Sequence, residues 1–219
     1  MKDGNWELID GSDAHEIEVL NYSNQINVIE ACVKFMMFHA VDGDVGPPHP
    51  DILRELHRTA TLFLLAKPGE FRDLDVHVQK AGSVVFEPPP HVNVGLHLDT
   101  FFRTVNANWG LYSAVEIAAY SLWMINWIHP FRNGNGRTAR AFCYLCLSLK
   151  LGFIIPGSPT VIDLIMQDRE EYETGLQLAD ADISSRGKPG LLRLEGLIAR
   201  LLEEQLVSVL GAGAASGST

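Results

Sequence analysis

The chain has 219 residues, a formal net charge of −10, 47% hydrophobic and 20% charged residues. That length and balance suit one large globular domain with a full hydrophobic core, and exclude a disordered chain. The acidic excess and scattered arginines exclude a duplex-binding surface, so nucleic acid is not an expected partner.

Helical patterning dominates. From Glu16 to Phe38 apolar residues recur at helical spacing, and Pro47-Pro48-His49-Pro50 follows as a break. Asp51 is placed to cap a second helix that reaches Leu64 and ends by Lys67-Pro68-Gly69. Leu74, Val76 and Val78 then alternate with Asp75, His77 and Gln79 at strand period. Gly82-Ser83 reads as a turn before Val84, Val85 and Phe86, giving a short β-hairpin closed by Pro88-Pro89-Pro90. Helices resume over Val92–Asn106, over Ala114–Trp127 with Ser113 as its cap, and over Arg137–Leu149 ended by Gly152. Two more are expected over Asp163–Leu178 and Leu191–Leu210. The fold class is therefore mostly α, with one short β-hairpin flap. The expected division is a helical extension over 1–45, a main domain over 46–210 and a flexible tail over 211–219.

The three cysteines, Cys32, Cys143 and Cys146, are too few and too odd in number for a disulfide framework, which suits a reducing compartment. Met1 to Glu7 carries no apolar run of a signal peptide, and the most apolar stretch, Ile117 to Ile128, is too short to span a bilayer. A cytoplasmic location without a membrane partner is expected, with export as an effector left open.

The informative segment is His129-Pro130-Phe131-Arg132-Asn133-Gly134-Asn135-Gly136-Arg137-Thr138-Ala139-Arg140. An apolar helix ends at a histidine, and two glycines allow positive φ and close approach of backbone N–H groups to a ligand. A new helix then begins, and its N-terminus favours anions. Arg137 and Arg140, at i and i+3, share a helix face. These parts suit phosphoryl-group chemistry, with histidine as the base for an attacking hydroxyl. A glycine-rich turn alone would be only structural; the whole string is far more specific.

The string resembles the Fic-family signature, His-Pro-Phe-x-(Asp/Glu)-Gly-Asn-Gly-Arg-x-x-Arg. Leu56-His57, Pro68-Gly69-Glu70-Phe71-Arg72, Phe86-Glu87-Pro88-Pro89 and Tyr172 with Leu176 and Leu178 extend the likeness over roughly residues 50 to 205. The resemblance implies a helical fold with a flap over the site and an activity of protein AMPylation. In that reading His129 deprotonates a Ser, Thr or Tyr hydroxyl of a target protein, which attacks the α-phosphate of ATP and releases pyrophosphate. Asn135 and the amides of Gly134 and Gly136 hold the α- and β-phosphates. Arg137 binds the β-phosphate and Arg140 the γ-phosphate. Gly82, Ser83, Val84 and Val85 form the flap that docks the target by strand pairing.

One defined position departs from the pattern. The family has Asp or Glu as the Mg²⁺ ligand where this chain has Asn133, whose amide oxygen is neutral. Mg²⁺ or Mn²⁺ is still the expected metal, bound more weakly. This leaves as alternatives a nucleotide- and protein-binding module with little catalysis, or transfer of another nucleotide or a phosphocholine group. An inhibitory Ser/Thr-x-x-x-Glu-Gly motif is matched only in part, at Ser23–Asn27, Ile26–Glu30 and Leu191–Glu195. Arg140 is therefore expected to be unlocked within the chain, with a small antitoxin as a possible partner. Cys143 and Cys146, His91, His97 and Asp99, and His57 are read as structural, and Trp123 and Trp127 as core or groove lining.

Overall fold

Every fourth residue of the first helix, α1 (Gly11–Phe38), is buried from Asn21 through Gln25 and Ile29 to Val33. The structure, a computed structural model, describes residues 7–9, 11–80 and 82–216. The apolar half of that stripe joins the main core, and the polar half is pinned by bonds to carbonyls of the next element. Asn21 Nδ2 donates to the Leu62 carbonyl and Gln25 Nε2 to the Leu56 carbonyl, each at 2.8 Å. Residues 46–48 carry the chain to α2 (Asp51–Thr61), which buries Leu53, Leu56, His57 and Ala60. Asp51 is not its cap: Pro50 holds that position without a side-chain bond, and Asp51 sits in the first turn. The helix stops three residues before the expected Leu64, and Phe63 takes a positive φ of 62° in the exit turn.

The hairpin is shorter than its sequence alternation. β1 (Val78–Lys80) pairs antiparallel with β2 (Ser83–Phe86), with Gln79 opposite Val84, Lys80 opposite Ser83 and a bulge after Val78. Leu74 to His77 stay outside the ladder. The Leu74 carbonyl, which a ladder would use, accepts instead from the Arg72 guanidinium, and the Asp75 carboxylate accepts from the His91 amide. Gly82, at φ +80°, makes the turn, and Ser83 already belongs to β2.

A 3-10 turn at His91–Asn93 leads into α3 (Val94–Asn108). Ser113 and Glu116 form a capping box that starts α4 (Ala114–Ile128), nine of whose residues are buried. α4 packs against α5 (Asn135–Leu151), and these two apolar helices form the centre of the molecule. Cys143 and Cys146 are buried there as packing residues.

The helix expected over 163–178 is two helices, α6 (Val161–Gln167) and α7 (Arg169–Arg186). They meet at Asp168, whose ψ of 39° leaves the helical range. Apolar spacing runs across the break because both segments pack on α8 (Leu192–Ser216), which hides the break from periodicity. α8 continues past the expected end at Leu210, through Ala212, Ala214 and Ala215, which favour helix. The remainder of the expected tail, 217–219, lies outside the described residues. No described helix is long and apolar enough to cross a membrane.

Candidate functional site

The loop between α4 and α5 is fixed from both sides by buried polar groups. α4 ends at His129, which adopts a left-handed conformation with φ 50° and ψ 57°. That conformation is costly for a non-glycine residue and persists only where the surroundings hold it. Arg72 supplies much of the hold. Its guanidinium, with the side chain fully buried, donates to the His129 carbonyl at 2.8 Å and to the Ile128 carbonyl at 3.4 Å. It also reaches the Leu74 carbonyl, the Pro89 carbonyl and Asp75. One side chain thus ties the end of α4 to both stems of the hairpin. The Arg72 amide adds a 2.9 Å bond to the Pro130 carbonyl.

His57, read from sequence as structural, holds the other side. Its Nδ1 accepts from the Gly69 amide at 2.8 Å, so the proton resides on Nε2, which donates to the Asn133 carbonyl at 2.9 Å. The ring stacks on Phe131 at 3.7 Å between centroids, and Phe131 is fully buried. Burial lowers the His57 pKa to about 4, with the Arg137 charge acting in the same direction against the Asn133 bond. The ring is therefore a neutral support. Gly134 follows at φ +77°, and a Cβ there would lie 2.6 Å from Thr61 Cγ2 and 3.3 Å from His57 Nε2. Only glycine fits.

Two expected phosphate ligands have other work. Asn135 is buried, and its amide closes the loop by accepting from the Phe131 N–H and donating to the Phe131 carbonyl, each at 2.8 Å. The Gly134 N–H donates to Asn133 Oδ1 at 2.6 Å. Asn135 is thus a brace through its side chain, and the Gly134 amide is already engaged. The donors free by helix geometry are the amides of the first turn of α5, from Asn135 to Arg137.

This turn opens on a cleft of about 820 Å³, lined at one end by His129, Asn133 to Arg137 and Arg140. Its walls are completed by Trp127 of α4 and by Tyr172, Leu176 and Asp180 of α7, and on the flap side by Val78, Lys80, Val85 and Phe86. The size is that of a small-molecule site. Lys80 Nζ reaches Glu173 at 2.6 Å, tying the flap to α7. Of the proposed docking residues, Val85 lines the cleft, while Val84 and Val85 are about half exposed. Trp123 is core and donates its indole N–H to Asp180 at 2.9 Å, so the two tryptophans divide the roles expected of them.

Three features bear on chemistry. His129 Nδ1 donates to the Asn126 carbonyl at 3.2 Å, which leaves Nε2 as the free, unprotonated nitrogen. Burial, aided by the Arg72 charge, lowers its pKa to about 4, so the ring is neutral across the physiological range. Arg140 lies against the Tyr172 hydroxyl, and its Nε is buried without an acceptor. A buried guanidinium nitrogen without a partner at the wall of a cleft fits an anionic ligand. Arg137 is held by a 2.8 Å ion pair to Glu18 of α1, a partner that local motif reading does not reveal.

Glu30 pairs with Lys34, Glu195 lies near Glu116, and neither lines the cleft. Among the described residues Arg140 has no carboxylate at ion-pair distance. No group of three or more His, Cys, Asp or Glu side chains forms a metal cage among the described residues. Asn133 has its oxygen on Gly134 N–H, and its Nδ2 donates to Glu7 Oε1 at 2.8 Å. One amide and one carboxylate fit only a cation that takes most of its ligands from phosphates and water, as Mg²⁺ and Mn²⁺ do.

Residues 47–147 match the Fic/DOC family. A protein adenylyltransferase Fic of Aedes aegypti is 30% identical over 159 residues, covering 72% of this chain and 29% of the relative. One of Drosophila persimilis is 35% identical over 132 residues, covering 59% of this chain and 23% of the relative. The chain thus spans under a third of the length of these relatives. A Fic family protein of Desulfovibrio desulfuricans shares the fold at a TM-score of 0.68 and 19% identity, over 96% of this chain and 57% of that one. A Fic domain containing signaling protein of Bacteroides thetaiotaomicron does so at 0.69 and 22%, over 96% and 76%.

Proposed function

This chain belongs to the Fic/DOC family, and on that premise we propose that it transfers AMP from ATP to a Ser, Thr or Tyr hydroxyl of a target protein. The observation that carries the reading is a neutral His129 with Nε2 free, lining the same cleft as Arg140, whose buried Nε has no partner. The α5 amides and Arg137 bind the α- and β-phosphates, and Arg140 the γ-phosphate. The flap holds the target segment along a free edge of the hairpin. A divalent cation bound with the nucleotide beside Asn133 would supply charge neutralisation for the leaving pyrophosphate. His129 Nε2 takes the proton of the target hydroxyl, the oxygen bonds to the α-phosphorus, and the α–β bridging bond breaks. The proton stays on His129 and pyrophosphate leaves. In the same cleft Asp180 has one carboxylate oxygen on Trp123, and the other suits a base edge that donates, as the exocyclic amine of adenine does.

Incubation with α-labelled and γ-labelled ATP in lysate tests the reaction. Label carried to protein from the α position alone supports AMP transfer. Label from the γ position would replace it with phosphoryl transfer.

A second reading is favoured by Asn133, whose oxygen is engaged inside the loop. In it the chain binds nucleotide and a partner protein but turns over little. Transfer by Asn133→Asp and none by the parent would support that reading.

A further inference from the structure

Three carboxylates line the described cleft: Glu7, Glu173 and Asp180. Glu173 is neutralised between Lys80 and Arg169, each at 2.6 Å. Asp180 accepts from the Trp123 indole. Glu7 differs from both. It has no Lys or Arg at ion-pair distance among the described residues, and its Oε1 accepts from Asn133 Nδ2 at 2.8 Å.

The placement is built from backbone. Glu7 forms an antiparallel bridge with Leu65, and the Leu8 N–H donates to the Leu64 carbonyl at 2.9 Å. A segment 126 positions away in sequence is thereby set against the loop. The Asn133 amide has its orientation fixed by chemistry. Its oxygen faces the Gly134 N–H and its NH₂ faces the Glu7 oxygen, whereas the reverse would oppose two oxygens.

Glu7 makes no ion pair, and the Arg137 charge acts on it only at longer range, so its carboxylate at the rim of an anion-binding loop still repels phosphate unless a cation lies between them. Nucleoside triphosphates bring such a cation, and Mg²⁺ and Mn²⁺ bind through one or two carboxylates together with phosphates and water. We propose that Glu7 supplies the anionic protein ligand for the divalent cation of the bound nucleotide, with the Asn133 amide orienting its carboxylate. The loop lacks an acid of its own, and the N-terminal segment delivers one through space. This rests on the nucleotide-binding reading of the cleft and not on transfer.

The test is Mn²⁺ binding, followed by electron paramagnetic resonance, to the full chain loaded with α,β-methylene-ATP, which cannot be turned over at the α-phosphate. Parent, Glu7→Gln, Asn133→Asp and the double variant are compared. Glu7→Gln is expected to weaken Mn²⁺ about tenfold, the scale of losing one supporting ligand, and Asn133→Asp to restore the affinity in the double variant. Glu7 is exposed, so the fold is retained, and equal melting temperatures check this. Unchanged Mn²⁺ affinity in Glu7→Gln overturns the proposal. So does an equal gain in analogue affinity with and without Mn²⁺, which makes Glu7 a competing anion only. Failure of the parent to bind the analogue at all overturns the nucleotide reading as well, and is a distinct result.

Discussion

His57 and Arg72 do as much for the site as the residues that face the cleft. His57 joins the Gly69 amide to the Asn133 carbonyl through its two ring nitrogens. His57→Ala leaves both partners without the bond, strips a stack from Phe131, and is expected to cost about 3 kcal/mol in denaturant unfolding. Gly134→Ala forces a Cβ into Thr61 at positive φ, so it is expected to abolish nucleotide binding while α4 and α5 stay folded by circular dichroism. His129, Gly136, Arg137 and Arg140, which sit in one short string, all line the same cleft. His57 gave only a weak signal. It shares a buried helical face with Leu53, Leu56 and Ala60, and a polar residue on such a face needs partners. The loop-internal bonds of the Asn135 side chain and the Gly134 N–H could not be read from sequence, because they depend on the loop's fold.

At the scale of elements, the hairpin and the end of α4 are one mechanical unit through Arg72. Arg72→Lys keeps the charge but loses the planar fork, which cannot be matched by an ammonium. It is expected to speed amide exchange across Val78–Lys80 and Ser83–Phe86, with α5 unchanged in hydrogen-exchange mass spectrometry. Equal exchange would remove Arg72 as the tie. Helix existence was readable from period for most of the chain, and capping at Ser113 held. The break at Asp168 was not readable, since α8 rewards the same apolar stripe on both sides of it. The segment from Leu74 to His77 stays out of the ladder, and its Leu74 carbonyl is taken by the Arg72 guanidinium.

In the whole molecule, α1 and the segment at Glu7 to Ile9 reach the site across more than a hundred positions of sequence: Glu18 meets Arg137 and Glu7 meets Asn133. No periodicity or local motif encodes such pairings, which is why they emerged only from the fold. Two buried neutral histidines also contribute to the acid response of the whole. The folded values of His57 and His129 lie near 4, below the ordinary 6.5 of an exposed imidazole. The unfolded chain therefore binds protons first as pH falls. Stability from this pair is full above about pH 6.5 and is lost progressively towards pH 4, on the order of 3 kcal/mol for each ring. Thermal melts across that range are expected to show a falling midpoint, and a flatter fall in His57→Phe.

The central claim is that His129 removes the proton of a target hydroxyl as AMP is transferred. It is tested most directly by comparing the parent with His129→Ala for transfer of α-label from ATP to protein. Label transferred by the parent and absent from His129→Ala, with ATP affinity retained by both, is the predicted result. Equal labelling by the two, or no labelling by a parent that binds ATP in Mg²⁺ or Mn²⁺, would contradict it.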